Sequence, residues 1–134
     1  MRVYLDSSAL LKRVVAEQET GALQGVVSVH RANGDSLLAS SLAWVEVSRA
    51  LRRTLSAERA VDAADAALAG VLERPITADI IALARRLDPP LLRSLDAIHL
   101  ASLLLLDADV MLTYDDRLAD ACRAHGIPTR APSA

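Results

Sequence analysis

Short apolar runs alternate with longer stretches of helical periodicity along this chain. Val3-Tyr4-Leu5 reads as a buried strand that stops at Asp6-Ser7-Ser8. Ser7 or Ser8 is placed to cap a helix from Ala9 to about Glu17, where Leu10, Leu11, Val14 and Val15 recur at helical spacing. A second helix is predicted over Thr20–Arg31, a turn at Asn33-Gly34-Asp35, and a strand over Ser36–Ser40. Helical periodicity returns from Ser41 to about Leu55 and again from Ala57 to about Glu73, where Pro75 breaks it. Thr77 starts a further helix to about Leu87, closed by Pro89-Pro90. Ser94 is placed to cap a helix over Leu95–Leu106. Val110–Thr113 reads as a strand, followed by a helix from Asp116 to about His125, which Gly126 ends. Ile127–Thr129 is expected as a last edge strand, and Arg130–Ala134 as a loose tail.

Strands that alternate with helices predict one α/β domain over residues 1–134. Its expected architecture is a three-layer α/β/α sandwich around a short parallel sheet. In such sheets, ligands bind outside the carboxyl ends of the strands, where the strand order reverses. Asp6 falls just after the first predicted strand, and Asp115 and Asp116 just after the Val110–Thr113 strand. Glu46 lies six residues beyond the second strand, and Asp96 in the first turn of its helix. Four acidic groups distant in sequence thus gather near one edge of the sheet.

Each acid taken alone admits a plainer role. Asp115 or Asp116 is a natural helix N-cap, and Asp96 is favourable to a helix dipole. Glu46 is placed to pair with Arg49 or Arg53 along its helix. Asp6, at the end of a central strand, is harder to read as solvated surface. The helix over Leu95–Leu106 sharpens the case for Asp96. Its only polar residues are Asp96, His99 and Ser102, three apart on a single stripe. A helix apolar on nearly every side is buried, and a carboxylate on it needs a partner or a metal.

Composition narrows the chemistry. The 134 residues are 52% hydrophobic, with no Phe, one Trp and two Tyr. The core is therefore aliphatic, and platforms of aromatics that stack single-stranded bases are disfavoured. Net charge is −2, which is not the footprint of a protein that grips nucleic acid by charge alone. The single cysteine, Cys122, permits no internal disulfide and reads as a small buried residue. The N-terminus lacks a signal-peptide pattern and no run is long enough to span a bilayer, so a cytoplasmic location is expected. Two like charges about 4 Å apart repel by roughly 4 kcal/mol at an effective dielectric near 20. A divalent cation relieves that conflict among Asp6, Glu46, Asp96 and Asp115. Hard oxygen donors without a Cys or His cluster suit Mg²⁺ or Mn²⁺ rather than Zn²⁺. Such an ion activates a water toward a phosphodiester, which is nuclease chemistry.

Four segments in order carry a family resemblance. They are Val-Tyr-Leu-Asp-Ser-Ser-Ala-Leu at 3–10, Glu46 with Val-Ser-Arg-Ala-Leu after it, Ser-Leu-Asp-Ala-Ile-His-Leu-Ala at 94–101, and Leu-Thr-Tyr-Asp-Asp-Arg-Leu at 112–118. Together they resemble a PIN domain, specifically the VapC-type toxins of bacterial toxin–antitoxin pairs. The resemblance implies Mg²⁺- or Mn²⁺-dependent cleavage of RNA, a homodimer, and silencing by a small antitoxin. Carried onto this chain, it makes Asp6, Glu46, Asp96 and Asp115 the acidic set. It makes Ser8 and Thr113 the hydroxyls that support Asp6 and Asp115, with Asp116 as an extra carboxylate.

Around that set, Arg49 is a candidate for RNA phosphate or for orienting Glu46. Lys12 and Arg13 are candidates for a basic rim, and His99 for a core-facing support. Three alternatives remain open. One is a PIN-type RNA-processing nuclease with no antitoxin, and another is a catalytically silent PIN scaffold. The third is a Mg²⁺-binding phospho-receiver. That last fold needs a lysine at the end of a late strand, whereas the only lysine here is Lys12. No glycine-rich dinucleotide or P-loop motif follows a strand.

Overall fold

The computed structural model describes residues 1–133. Five strands, β1 (Arg2–Leu5), β2 (Ser36–Ser40), β3 (Val71–Arg74), β4 (Val110–Leu112) and β5 (Thr129–Arg130), form one sheet in the order β3-β2-β1-β4-β5. All four pairings are parallel. Seven helices connect them: α1 (Ser7–Leu11), α2 (Thr20–Ala32), α3 (Ser41–Leu51), α4 (Ala57–Leu68), α5 (Ala78–Ala84), α6 (Ser94–Leu105) and α7 (Asp116–Ala124).

Strand side chains alternate between faces, so β1 feeds two cores. Val3 and Leu5 point to one side, with Leu37, Ala39, Val110 and Leu112, and pack under α1 to α4. Tyr4 points to the other with Leu38 and Met111, under Leu100 and Leu103 of α6 and Leu118 and Cys122 of α7. The expected three-layer sandwich is thereby formed. Strands β1 to β3 add outward on one side, and the chain then crosses back to place β4 on the other side of β1. The strand order reverses between β1 and β4, and their carboxyl ends are where a binding crevice is expected in such a sheet.

Two expectations need correction. The helix expected to run to Glu73 stops at Leu68, and Val71–Arg74 is an edge strand paired with β2. Gly70 makes the break: its φ of +75° is the left-handed conformation glycine adopts after a helix. The tail expected to be loose from Arg130 is tied down. Arg130 pairs with Leu112, Pro132 is buried, and the Tyr114 hydroxyl donates to the Pro132 carbonyl at 2.7 Å. Ala134 lies outside the described residues. Smaller differences lie at helix ends. The first helix is one short turn, Ser7–Leu11, and Asp6 rather than a serine caps it. Arg93, without a side-chain bond, precedes α6 where Ser94 was expected to cap it.

Candidate active site

The ends of β1 and β4 are stitched together by two hydroxyls. Ser8 Oγ donates to Asp6 Oδ1 at 2.6 Å and accepts the Tyr114 amide at 2.9 Å. Thr113 Oγ1 donates to Asp6 Oδ2 at 2.6 Å and accepts the Asp115 amide at 3.0 Å. The Ala9 amide adds a third bond to Asp6, at 3.0 Å on Oδ1. A carboxylate accepts about four hydrogen bonds, so Asp6 keeps one free lone pair, on Oδ2. Asp6 is only 3% exposed. Burial pushes its carboxyl above the ordinary range, and the Ser8 and Thr113 hydroxyls pull it back.

Asp115 is the N-cap of α7. Its Oδ1 accepts the amides of Arg117 at 2.9 Å and Leu118 at 3.1 Å, and its Oδ2 makes no hydrogen bond among the described residues. Capping and availability coexist in one side chain. Asp116, the next residue, begins the helix and is exposed.

Glu46 projects from α3 and is held by His99 of α6, Nε2 to Oε1 at 2.6 Å. The arginine considered for that role, Arg49, is exposed and makes no ion pair among the described residues. Glu46 Oε2 stays free of hydrogen bonds among those residues.

Asp96 differs from the other three. It is half-buried in the first turn of α6, and no donor among the described residues reaches it. Its neighbours are anionic. Its carboxyl is pushed above the ordinary range by burial first and then by the charge of Asp115; His99 opposes the push, and Asp6 and Glu46 add smaller ones. Asp96 thus lies within electrostatic reach of the other three predicted acids.

The donor set fits a hard divalent cation. Asp96 has no protein partner, and each of the other acids keeps an oxygen or lone pair free. The side chains are not closed into a cage: no three His, Cys, Asp or Glu groups among the described residues converge as ready-made ligands. Asp96, free of hydrogen bonds among the described residues, is the least restrained of the four acids.

The basic residues divide. Arg13 donates to the Ala67 and Ala69 carbonyls at 2.8 and 3.0 Å, which ties it to the end of α4 rather than to the crevice. Lys12 pairs with Glu17 and, at 3.3 Å, with Glu19, and lies 4.8 Å from the centre of the Tyr114 ring. Sequence patterning missed Arg93 and Arg117. Both line a cleft of about 790 Å³ between the start of α6 and α7 that also takes in Asp96. Arg117 stands directly after the quoted Asp-Asp pair, and nothing else in the sequence signals either residue. His99 is buried beneath the acids instead of facing the cleft. Cys122 is fully buried, and burial pushes its thiol up to about 12, far from a reactive thiolate. No helix of the described residues is long and apolar enough to cross a membrane.

Comparison with known proteins shows the family and the fold. "Ribonuclease VapC47" of Mycobacterium tuberculosis is 35% identical over 134 residues, covering 98% of each chain. "Ribonuclease VapC46" of the same organism is 39% identical over 133 residues, again 98% of each. The solved structure of VapBC2 from Rickettsia felis bound to a promoter DNA fragment superposes with a TM-score of 0.78, covering 97% of this chain and 98% of that one. At 11% identity, that likeness shows the fold alone. The PIN domain family matches residues 3–124, nearly the whole length. The strand-end acids, the reversal of strand order between them and these relatives agree, and the chain belongs to the PIN domain family.

Proposed function

We propose that this protein is a metal-dependent endoribonuclease and the toxin partner of a VapBC-type toxin–antitoxin pair. The observation that carries the proposal is Asp96, a half-buried carboxylate with no hydrogen-bond donor among the described residues that lies within electrostatic reach of three more carboxylates, Asp115, Asp6 and Glu46. Such an arrangement is unfavourable in a protein without a cation and useful in one that binds it. Asp6, Glu46, Asp96 and Asp115 are the ligands of this reading, and Mg²⁺ or Mn²⁺ is the ion that suits them. A bound ion of this kind supplies an acidified water and neutralises charge on the scissile phosphate.

The chain's own residues do the rest. Ser8 and Thr113 fix both oxygens of Asp6 and leave one lone pair on Oδ2 unused. The α7 amides hold Asp115 by one oxygen. Arg93 and Arg117 present cations along the cleft beside Asp96, which suits a polyanion approaching an otherwise acidic centre. Arg49 is exposed and available to phosphate. The names of the relatives support RNA as the substrate, and the likeness of the fold to a chain of a toxin–antitoxin complex from Klebsiella pneumoniae supports a small antitoxin as the partner. A homodimer and a cytoplasmic location complete the proposal.

Purified protein is expected to cleave RNA with Mg²⁺ or Mn²⁺ and to stop when EDTA is added. Asp96→Asn is expected to lower the rate by at least about 100-fold, since even groups that merely support a metal ligand cost 10–100-fold. Cleavage by Asp96→Asn at the parent rate, or indifference to EDTA, sinks the proposal. Growth arrest on expression, relieved by a co-expressed upstream neighbour, separates a toxin from an RNA-processing nuclease without an antitoxin.

A further inference from the structure

A buried chain of hydrogen bonds runs from the sheet to Glu46. The Ser40 amide of β2 donates to the Tyr4 hydroxyl of β1 at 3.2 Å. The Tyr4 hydroxyl lies 2.8 Å from His99 Nδ1, and His99 Nε2 lies 2.6 Å from Glu46 Oε1. Tyr4, Ser40 and His99 are all 2% exposed or less, so water does not replace any of these bonds. The Tyr4 and His99 rings meet edge to face, with centroids 5.9 Å apart and planes at 80°.

The bond to Glu46 has one direction. A carboxylate oxygen only accepts, so His99 Nε2–H donates to Glu46 Oε1. On the other side of the ring, Nδ1 is held by the Tyr4 hydroxyl, which the Ser40 amide holds in turn.

We infer that Tyr4 and His99 are positioning residues. Tyr4 holds the His99 ring in place through Nδ1, and His99 anchors one oxygen of Glu46 and leaves the other free. One helix then controls two acids, because α6 carries Asp96 itself and, one turn later, the imidazole that holds Glu46. The role given to Glu46 rests on the nuclease reading above. The hydrogen-bond chain does not.

Two measurements on the full chain test the inference. In the metal-free protein, ¹⁵N spectra of the imidazoles, assigned with His99→Gln, are expected to show a proton on His99 Nε2 that exchanges slowly with solvent. Tyr4→Phe is expected to speed that exchange. A His99 ring without a proton on Nε2 in the parent, or an unchanged exchange rate in Tyr4→Phe, overturns the inference. In cleavage assays, His99→Leu is expected to lower kcat by about 10–100-fold and to raise the Mn²⁺ midpoint by a similar factor, with KM for RNA unchanged. His99→Gln, whose amide can still donate to Glu46, is expected to recover most of that loss. Glu46→Gln is expected to add little in the His99→Leu background. Parent-like kcat in His99→Leu, or fully additive losses, overturns the inference. Should the parent fail to cleave RNA at all, the nuclease reading falls, while the spectra still decide the hydrogen-bond chain.

Discussion

At the scale of single residues, function and stability oppose each other at Asp96. Its carboxyl is raised by burial and by the charge of Asp115, so folding disfavours its ionised form. A group with a raised folded-state value destabilises the protein at pH above that value, and the penalty vanishes once both states are protonated at low pH. Asp96→Asn is therefore expected to melt at a higher temperature than the parent at pH 7. The gap should narrow as pH falls through the carboxylate range, as thermal melts at several pH values would show. An inactive variant that is more stable is the outcome expected of an acid kept for chemistry. A gap that widens toward low pH refutes this account. Tyr114 works in the opposite sense. Its hydroxyl holds the C-terminal segment through the Pro132 carbonyl, and Tyr114→Phe is expected to cost about 0.5–1.5 kcal/mol by urea denaturation.

Among the elements, α6 does the most to build the site. It buries Ala97, Leu100, Ala101 and Leu103 against the sheet and α7 while presenting Asp96 and His99 to the acidic centre. Leu100→Ala is expected to cost about 2–5 kcal/mol, out of a total on the order of 10 kcal/mol for a chain this long. This helix was legible in sequence because its stripe of Asp96, His99 and Ser102 interrupts an otherwise apolar run. Strand β3 was not legible, because Val71–Arg74 continues a helical pattern with no change of period. Only Gly70 marks the break. A Cβ there would be strained by the φ of +75° and would meet the Arg31 guanidinium at 3.3 Å. Gly70→Ala is expected to cost roughly 1–2 kcal/mol, measurable by urea denaturation. A neutral result would mean that the turn relaxes to another conformation.

At the scale of the whole molecule, the strand order decides where the acids meet. Asp6 and Asp115 follow β1 and β4, which are neighbours only because the chain crosses back over the sheet after β3. Three carboxylates within electrostatic reach of Asp96 predict a protein stabilised by the ion it binds. An ion at 100 times its dissociation constant adds about 2.7 kcal/mol when it binds only the folded state. Mn²⁺ is expected to raise the melting temperature of the parent by several degrees and that of Asp96→Asn by much less. Equal shifts in the two proteins would place the ion elsewhere.

The sequence by itself determined the layer pattern, the two strand ends that carry acids, and the family, because hydrophobic period and short motifs are local properties. It also marked Asp96, since one carboxylate in an apolar run is visible without coordinates. Only the tertiary structure decided which groups hold which. Arg49, three residues from Glu46, is not its partner, and His99, fifty-three residues away, is. Arg13 turned to the end of α4, Tyr4 became part of the site's support, and Arg93 and Arg117 came to line its cleft. Those outcomes depend on how α3, α6 and α7 dock on the sheet. Docking is set by contacts between residues distant in the chain, which no local pattern encodes.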